Sequence, residues 1–249
     1  MTFSHPAKPI FRPKQSYLDV QDIEGLLKIH WKIGDITLFS GFYPRVDQAC
    51  LVWGLITLII FAVAQFVPIS WIDQAQWWSI LSVIGTVAMI FLTRYWVWIE
   101  GITWLLGWWA FLMLAGVGLT NLGIFWGWTW VLPNLCPLWL ILCIFGYIVT
   151  AFGLGSRAFI LASMIHLAAI PLCMAVLQWQ FLITGLIMAG TLVLLAEAQW
   201  DMRSSVASPV LTPQQLAFNH QQECKRQTNR QNFGSPVANC QAQPHKIVH

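Results

Sequence analysis

The chain has 249 residues and a formal net charge of +3, with 57% hydrophobic and only 9% charged residues. A soluble domain carries roughly 25% charge, so a water-soluble globule is excluded. Of the 13 Lys and Arg, six precede the first apolar run and five follow the last, which leaves no central basic patch and no nucleic-acid partner.

Lys8, Arg12 and Lys14 are followed by no immediate apolar run, so no cleaved signal peptide is expected. Val20, Ile23, Leu27 and Trp31 recur at helical spacing, with Lys28 and Lys32 on another face and Gly34 as a stop. That pattern predicts a short amphipathic helix on the inner leaflet, or a docking helix for a partner. Residues 1–48 form a cytoplasmic amino-terminal segment on this reading.

A hydrocarbon core about 30 Å thick needs about 20 apolar residues at 1.5 Å each. Runs that meet this lie at 50–67 and 77–93, the second run ended by Arg94 with its helix free to continue to Trp98. Residues 101–156 carry no charge at all, too long for one span and right for two. Trp126, Trp128 and Trp130 with Pro133, Asn134 and Pro137 read as the interfacial loop between them, giving spans at 102–124 and 138–154. The Gly153 to Arg157 turn introduces the last two, 158–177 and 181–196. The tail from 201 onward is rich in Gln, Asn, Ser and Pro and is expected to be disordered. The fold class is therefore all-α: a polytopic bundle of about six transmembrane helices over 49–200, preceded by the interfacial helix and followed by the tail. No internal repeat is visible.

Basic residues mark cytoplasmic loops. Both terminal segments, the second connection (Arg94) and the fourth (Arg157) carry them, while connections one, three and five carry none. The alternation requires an even number of spans with both termini cytoplasmic.

Ionisable groups inside a span are the default functional candidates because they are costly in hydrocarbon. His166 is the clearest. It could serve as a haem ligand, a proton relay or a substrate contact, but no second His lies in a span; a neutral ring bonded to a nearby carbonyl is the plain alternative. Pro171 would free a carbonyl close by and kink the span. Asn121 is the other intramembrane polar candidate. Arg94, Glu100, Arg157 and Glu197 stand at cytoplasmic span ends, where snorkelling accounts for them or where they form an inner charge cluster. Gly and Ala at four-residue spacing (Ala151 and Gly155, Ala158 and Ala162, Gly185 and Ala189) allow close helix packing.

Cys143 and Cys173 fall in apolar runs, and Cys224 and Cys240 are expected as reduced thiols, with no structural disulfide. His220, Cys224, Cys240 and His245 could supply four zinc ligands, but their spacing matches no known zinc module and their surroundings read as disorder, so scattered residues are the plainer reading and no metal is expected; no cofactor is assigned. P-loop, GxGxxG, HExxH, CxxC and GxSxG motifs are absent, and no catalytic residue is assigned.

Gly34-Asp35-Ile36-Thr37 before the first span, and Ala158-Phe159 opening the fifth after a Gly-rich turn, resemble an uncharacterised family of cyanobacterial six-span integral membrane proteins. The similarity covers about 34–200, and Ser156-Arg157 departs from the basic-acidic pair expected there. It implies an architecture, a bacterial inner or thylakoid membrane, and no activity. The expected role is a non-catalytic assembly or scaffold component whose partners are the bilayer and other membrane proteins. A small-solute transporter or channel, passing His166, Asn121 and the inner cluster, is the alternative; a membrane-embedded enzyme would need a second polar group beside His166.

Overall fold

The computed structural model describes residues 9–15, 17–34, 36–202 and 208–231. Six helices are long and apolar enough to cross a bilayer: α2 (Arg45–Phe66), α3 (Trp71–Ile99), α4 (Thr103–Phe125), α5 (Leu135–Leu154), α6 (Arg157–Ala175) and α7 (Gln180–Glu197). Smaller elements are α1 (Val20–Ile23), α8 (Pro213–Gln231) and four strands, β1 (Phe11–Arg12), β2 (Leu27–Ile33), β3 (Ile36–Tyr43) and β4 (Gln199–Trp200). The protein is a multi-pass helical membrane bundle.

The six long helices pack as a closed ring, each on its neighbour in sequence, with α7 returning to α2. Close approach of α7 to α2 depends on glycine: a Cβ at Gly185 would lie 2.7 Å from Phe61 Cβ, and Gly54 faces the backbone oxygen of Ala189. Large apolar side chains such as Leu55, Phe91, Phe111, Phe145 and Leu167 point outward and are exposed. That is the surface a lipid solvent requires.

All six spans fall where hydropathy puts them, and all but α4 begin earlier than the apolar run. α3 runs six residues further at each end than 77–93. Its start is capped by Ser70, whose hydroxyl accepts from Asp73 N (3.1 Å) and donates to the Asp73 carboxylate (2.6 Å). Arg94 does not stop it, because the exposed guanidinium leaves the helix sideways and lies 5.5 Å from the Phe91 ring centroid.

The amphipathic helix expected between Val20 and Trp31 is corrected. Helix α1 lasts four residues and ends before Gly25, which sits at φ 72°. Beyond it Leu27, Ile29, Trp31 and Ile33 alternate with Lys28, His30 and Lys32, the period of a strand. β2 pairs antiparallel with β3, Trp31 opposite Phe39, and turns at Gly34 (φ 59°). β3 then enters α2 through Pro44.

The tail is corrected in part. Thr212-Pro213-Gln214-Gln215 is a capping box: Gln215 N donates to Thr212 Oγ1 (3.3 Å) and Thr212 N to Gln215 Oε1 (2.9 Å), starting α8. Residues 232–249 lie outside the described residues. Cys224 is disulfide-bonded, contrary to the reduced thiols expected there, whereas Cys50, Cys136, Cys143 and Cys173 are free.

The terminal segments join to form a cap over one end of the ring. β1 pairs with β4, Phe11 opposite Trp200. Helix α8 packs on α1 through Asn219 Oδ1, which accepts from Val20 N at 2.8 Å. Arg226 forks onto Asp19 (3.0 and 3.2 Å) and also donates to Tyr17 O.

Candidate functional site

His166 is fully buried in α6. Its Nδ1 lies 2.8 Å from Ala162 O, one turn back, and its ring meets Tyr147 edge-on at 5.0 Å. Nε2 has no hydrogen-bond partner among the described residues. Asn121 instead donates to Ser79 Oγ on α3 and Val117 O on its own helix, both at 2.9 Å. The two intramembrane candidates share no partner.

The four charges proposed as an inner cluster separate in the same way. Glu100 is buried and accepts from Gln21 Nε2 at 3.2 Å. Arg157 pairs with Asp201, Glu197 accepts from the Tyr43 hydroxyl at 2.7 Å, and Arg94 lies over Phe91. Glu197 and burial together push the Tyr43 phenol up to about 12, burial contributing most.

Polar groups concentrate elsewhere, in a cavity of about 420 Å³ between the cap and the bundle. Its cations are Arg12, Lys14 and Arg226, and its acids Asp19, Asp22, Asp47, Glu100 and Glu223. Lys14 is committed to Asp47 at 2.7 Å, and Arg226 to Asp19 and Glu223. Asp22 has no such cation among the described residues: its carboxylate accepts from Trp96 Nε1 at 3.1 Å and feels the charges of Asp19, Glu100 and Asp47. Burial, then the Asp19 charge, lift its pKa to about 7 against the opposing hydrogen bond from the Trp96 N–H. Burial also raises Asp19 against the pull of Arg226.

Asp201 shows the reverse balance. Burial works to raise its pKa, but Arg157, the amides of Ala158 and Arg157, and the Ser156 hydroxyl outweigh it and leave the carboxyl below its usual value. Those donors sit at the start of α6, so Asp201 caps a helix remote from it in sequence, with Arg157 N and Ala158 N both at 3.0 Å.

Beneath the polar cavity the ring of helices encloses a second space of about 170 Å³, lined by Trp53, Trp78, Trp109, Trp139, Tyr147 and other apolar residues. Val46, Trp96 and Trp200 line both spaces and form the boundary between them. On α2 the lower lining extends from Val46 to Phe61, about 22 Å at 1.5 Å per residue and most of a hydrocarbon core. Hydroxyls in this wall turn back on their own helices: Thr57 to Trp53 O, Thr93 to Met89 O and Thr150 to Gly146 O, each 2.8 Å. Trp78 and Trp139 are 3% and 7% exposed, and their indole N–H groups have no acceptor among the described residues.

Comparison with family models, with curated proteins and with solved structures returned no match. No group of three or more potential metal ligands occurs among the described residues, and Cys240 and His245 lie outside them.

Sequence reasoning left out Asp19, Asp22, Lys14, Asp47 and Arg226 because it searched the spans and the span ends for charge, and it read Asp201, at the inner end of the sixth span beside Glu197, as a snorkelling group.

Proposed function

We propose that this chain is a non-catalytic assembly or scaffold component of a membrane complex, set in a bacterial inner or thylakoid membrane with both termini cytoplasmic. One observation carries the reading. Every residue of β2 is exposed, apolar side chains (Trp31 at 72%, Ile33 at 70%) alternate with Lys28, His30 and Lys32, and one edge of the strand is unpaired. A lone two-stranded hairpin is marginal in water, and open strand edges are templates for another chain. An acidic, apolar surface on a neighbouring membrane protein complements this one. The Lys and Arg distribution supports the orientation, and the likeness to the cyanobacterial six-span family supports the choice of membrane.

The transport reading has less support. Its residues His166, Asn121, Arg94, Glu100, Arg157 and Glu197 reach different partners, and the space inside the ring is apolar. An enzyme would need convergent polar groups, whereas the hydrogen-bond partner of His166 among the described residues is Ala162 O, with the Tyr147 ring edge-on beside it.

The test is a photo-crosslinking residue at His30 in native membranes. A discrete protein adduct, lost in Trp31→Ala, is the expected result. Adducts to lipid alone, with the chain migrating alone in mild detergent, would contradict the scaffold role.

A further inference from the structure

The two stacked spaces have opposite chemistry and a common wall. The upper one is polar and lies under the cap; the lower is apolar, aromatic and enclosed by the helix ring. They meet at Val46, Trp96 and Trp200. A volume of about 170 Å³ holds a short apolar chain of about six carbons and no second one. An apolar cavity of this order stays dry and takes apolar guests.

The upper space favours a particular headgroup. Its acids outnumber its cations five to three. Two of the cations are already held, Lys14 by Asp47 and Arg226 by Asp19 and Glu223. Asp22 lines the cavity with three carboxylates around it and no cation of its own among the described residues. The side-chain oxygens of Gln15 and Gln199, also in this wall, are buried and accept no hydrogen bond among the described residues. A donor-bearing cation fits those acceptors, and an anion would meet like charge. At the other end, Trp78 and Trp139 offer buried N–H donors without acceptors, which an oxygen within or at the end of the chain would satisfy.

We propose that the protein binds one single-chain amphiphile, with a primary ammonium headgroup among Asp22, Gln15 and Gln199 and the apolar chain threaded down the aromatic chamber. Trp96 stands at the junction, its indole N–H on Asp22 and its ring in the chamber wall. Tail length and headgroup charge are thereby read by separate parts of one site.

The experiment is competitive native mass spectrometry of the full chain in neutral detergent at pH 8, with hexylamine and hexyl phosphate as probes. Wild type is expected to retain one amine per chain, at least tenfold in preference to the phosphate. Ser82→Phe fills the chamber and is expected to abolish one-to-one retention of both probes. Asp22→Asn leaves the chamber intact and is expected to erase the preference while retention persists. Unfolding midpoints in probe-free detergent establish that both variants are folded. Two results would overturn the proposal: equal binding of both probes by wild type, or one-to-one retention by a folded Ser82→Phe protein.

Discussion

Arg157 and Asp201 are joined by a 2.8 Å ion pair that fastens the chain leaving α7 to the start of α6. Asp201 also accepts from Arg157 N, Ala158 N and the Ser156 hydroxyl, so one carboxylate is cap, anchor and counter-ion together. Asp201→Ala is expected to cost about 3 kcal/mol, because four buried or half-buried donors lose their acceptor. Arg157→Ala, at a side chain 26% exposed, is expected to cost about 1 kcal/mol. Denaturant unfolding in detergent checks this; equal losses would mean that the ion pair, not the helix cap, dominates.

Asp22 sets the pH dependence of the cap. Folding lifts its pKa from 3.8 to about 7. Below about pH 4 both states are protonated and nothing is lost; from there to pH 7 only the unfolded chain ionises, so stability falls as pH rises. The loss is at most about 4 kcal/mol and is reduced by solvent screening. Asp19 is raised and acts in the same sense. Asp201 is lowered, so its contribution is present above about pH 4 and disappears as pH falls further. Lys14, Asp47, Glu100, Glu223, Arg12 and Arg226 also line the cavity. Amide exchange of residues 20–23 is expected to slow from pH 7 to pH 5, after correction for intrinsic rates, and Asp22→Asn to flatten that slope. An unchanged slope in the variant would assign the effect to another group.

Gly185 and Gly118 separate packing from propensity. A Cβ at Gly185 meets Phe61, whereas one at Gly118 meets nothing within 4 Å. Gly185→Ala is expected to cost about 1–3 kcal/mol by forcing α7 from α2, and Gly118→Ala to cost nothing. Thermal unfolding in detergent reads both.

Trp31 is expected to matter for assembly and not for folding. With 72% of its surface exposed, Trp31→Ala leaves the unfolding midpoint of the isolated chain within the error of a surface change, about 0.5 kcal/mol. The same variant is expected to shift the native-gel mobility of the complex toward that of the single chain. An unaltered complex would remove the hairpin from the interface.

Much of the bundle was legible in the sequence because lipid imposes long uncharged runs, and the charge pattern at Arg94 and Arg157 fixed an even number of them. The hairpin was not, because residues 20–31 satisfy a helical period while residues 27–33 satisfy a period of two, and only Gly25 decides between them. Helix α8 announced itself in the Thr212 to Gln215 capping box, outweighed by a tail composition that reads as disorder. The chamber had no signal. Trp53, Trp78, Trp96 and Trp139 point inward and are at most 9% exposed, but a helix apolar on every side does not reveal in sequence which face meets protein and which meets lipid. The polar cavity was hidden for a different reason: its charged residues come from positions 12, 14, 19, 22, 47, 100, 223 and 226, and only the cap brings them together.

The most direct test of the six-span topology uses impermeant thiol labelling of intact cells in a background without Cys224 and Cys240. Trp126→Cys reports the loop between α4 and α5, and Trp31→Cys the hairpin at the opposite end; both positions are well exposed, at 82% and 72%. The account predicts labelling of Cys at 126 from outside and of Cys at 31 only after permeabilisation, with the chain retained in carbonate-washed membranes. Labelling of both in sealed cells, or recovery of the chain in the carbonate supernatant, would contradict it.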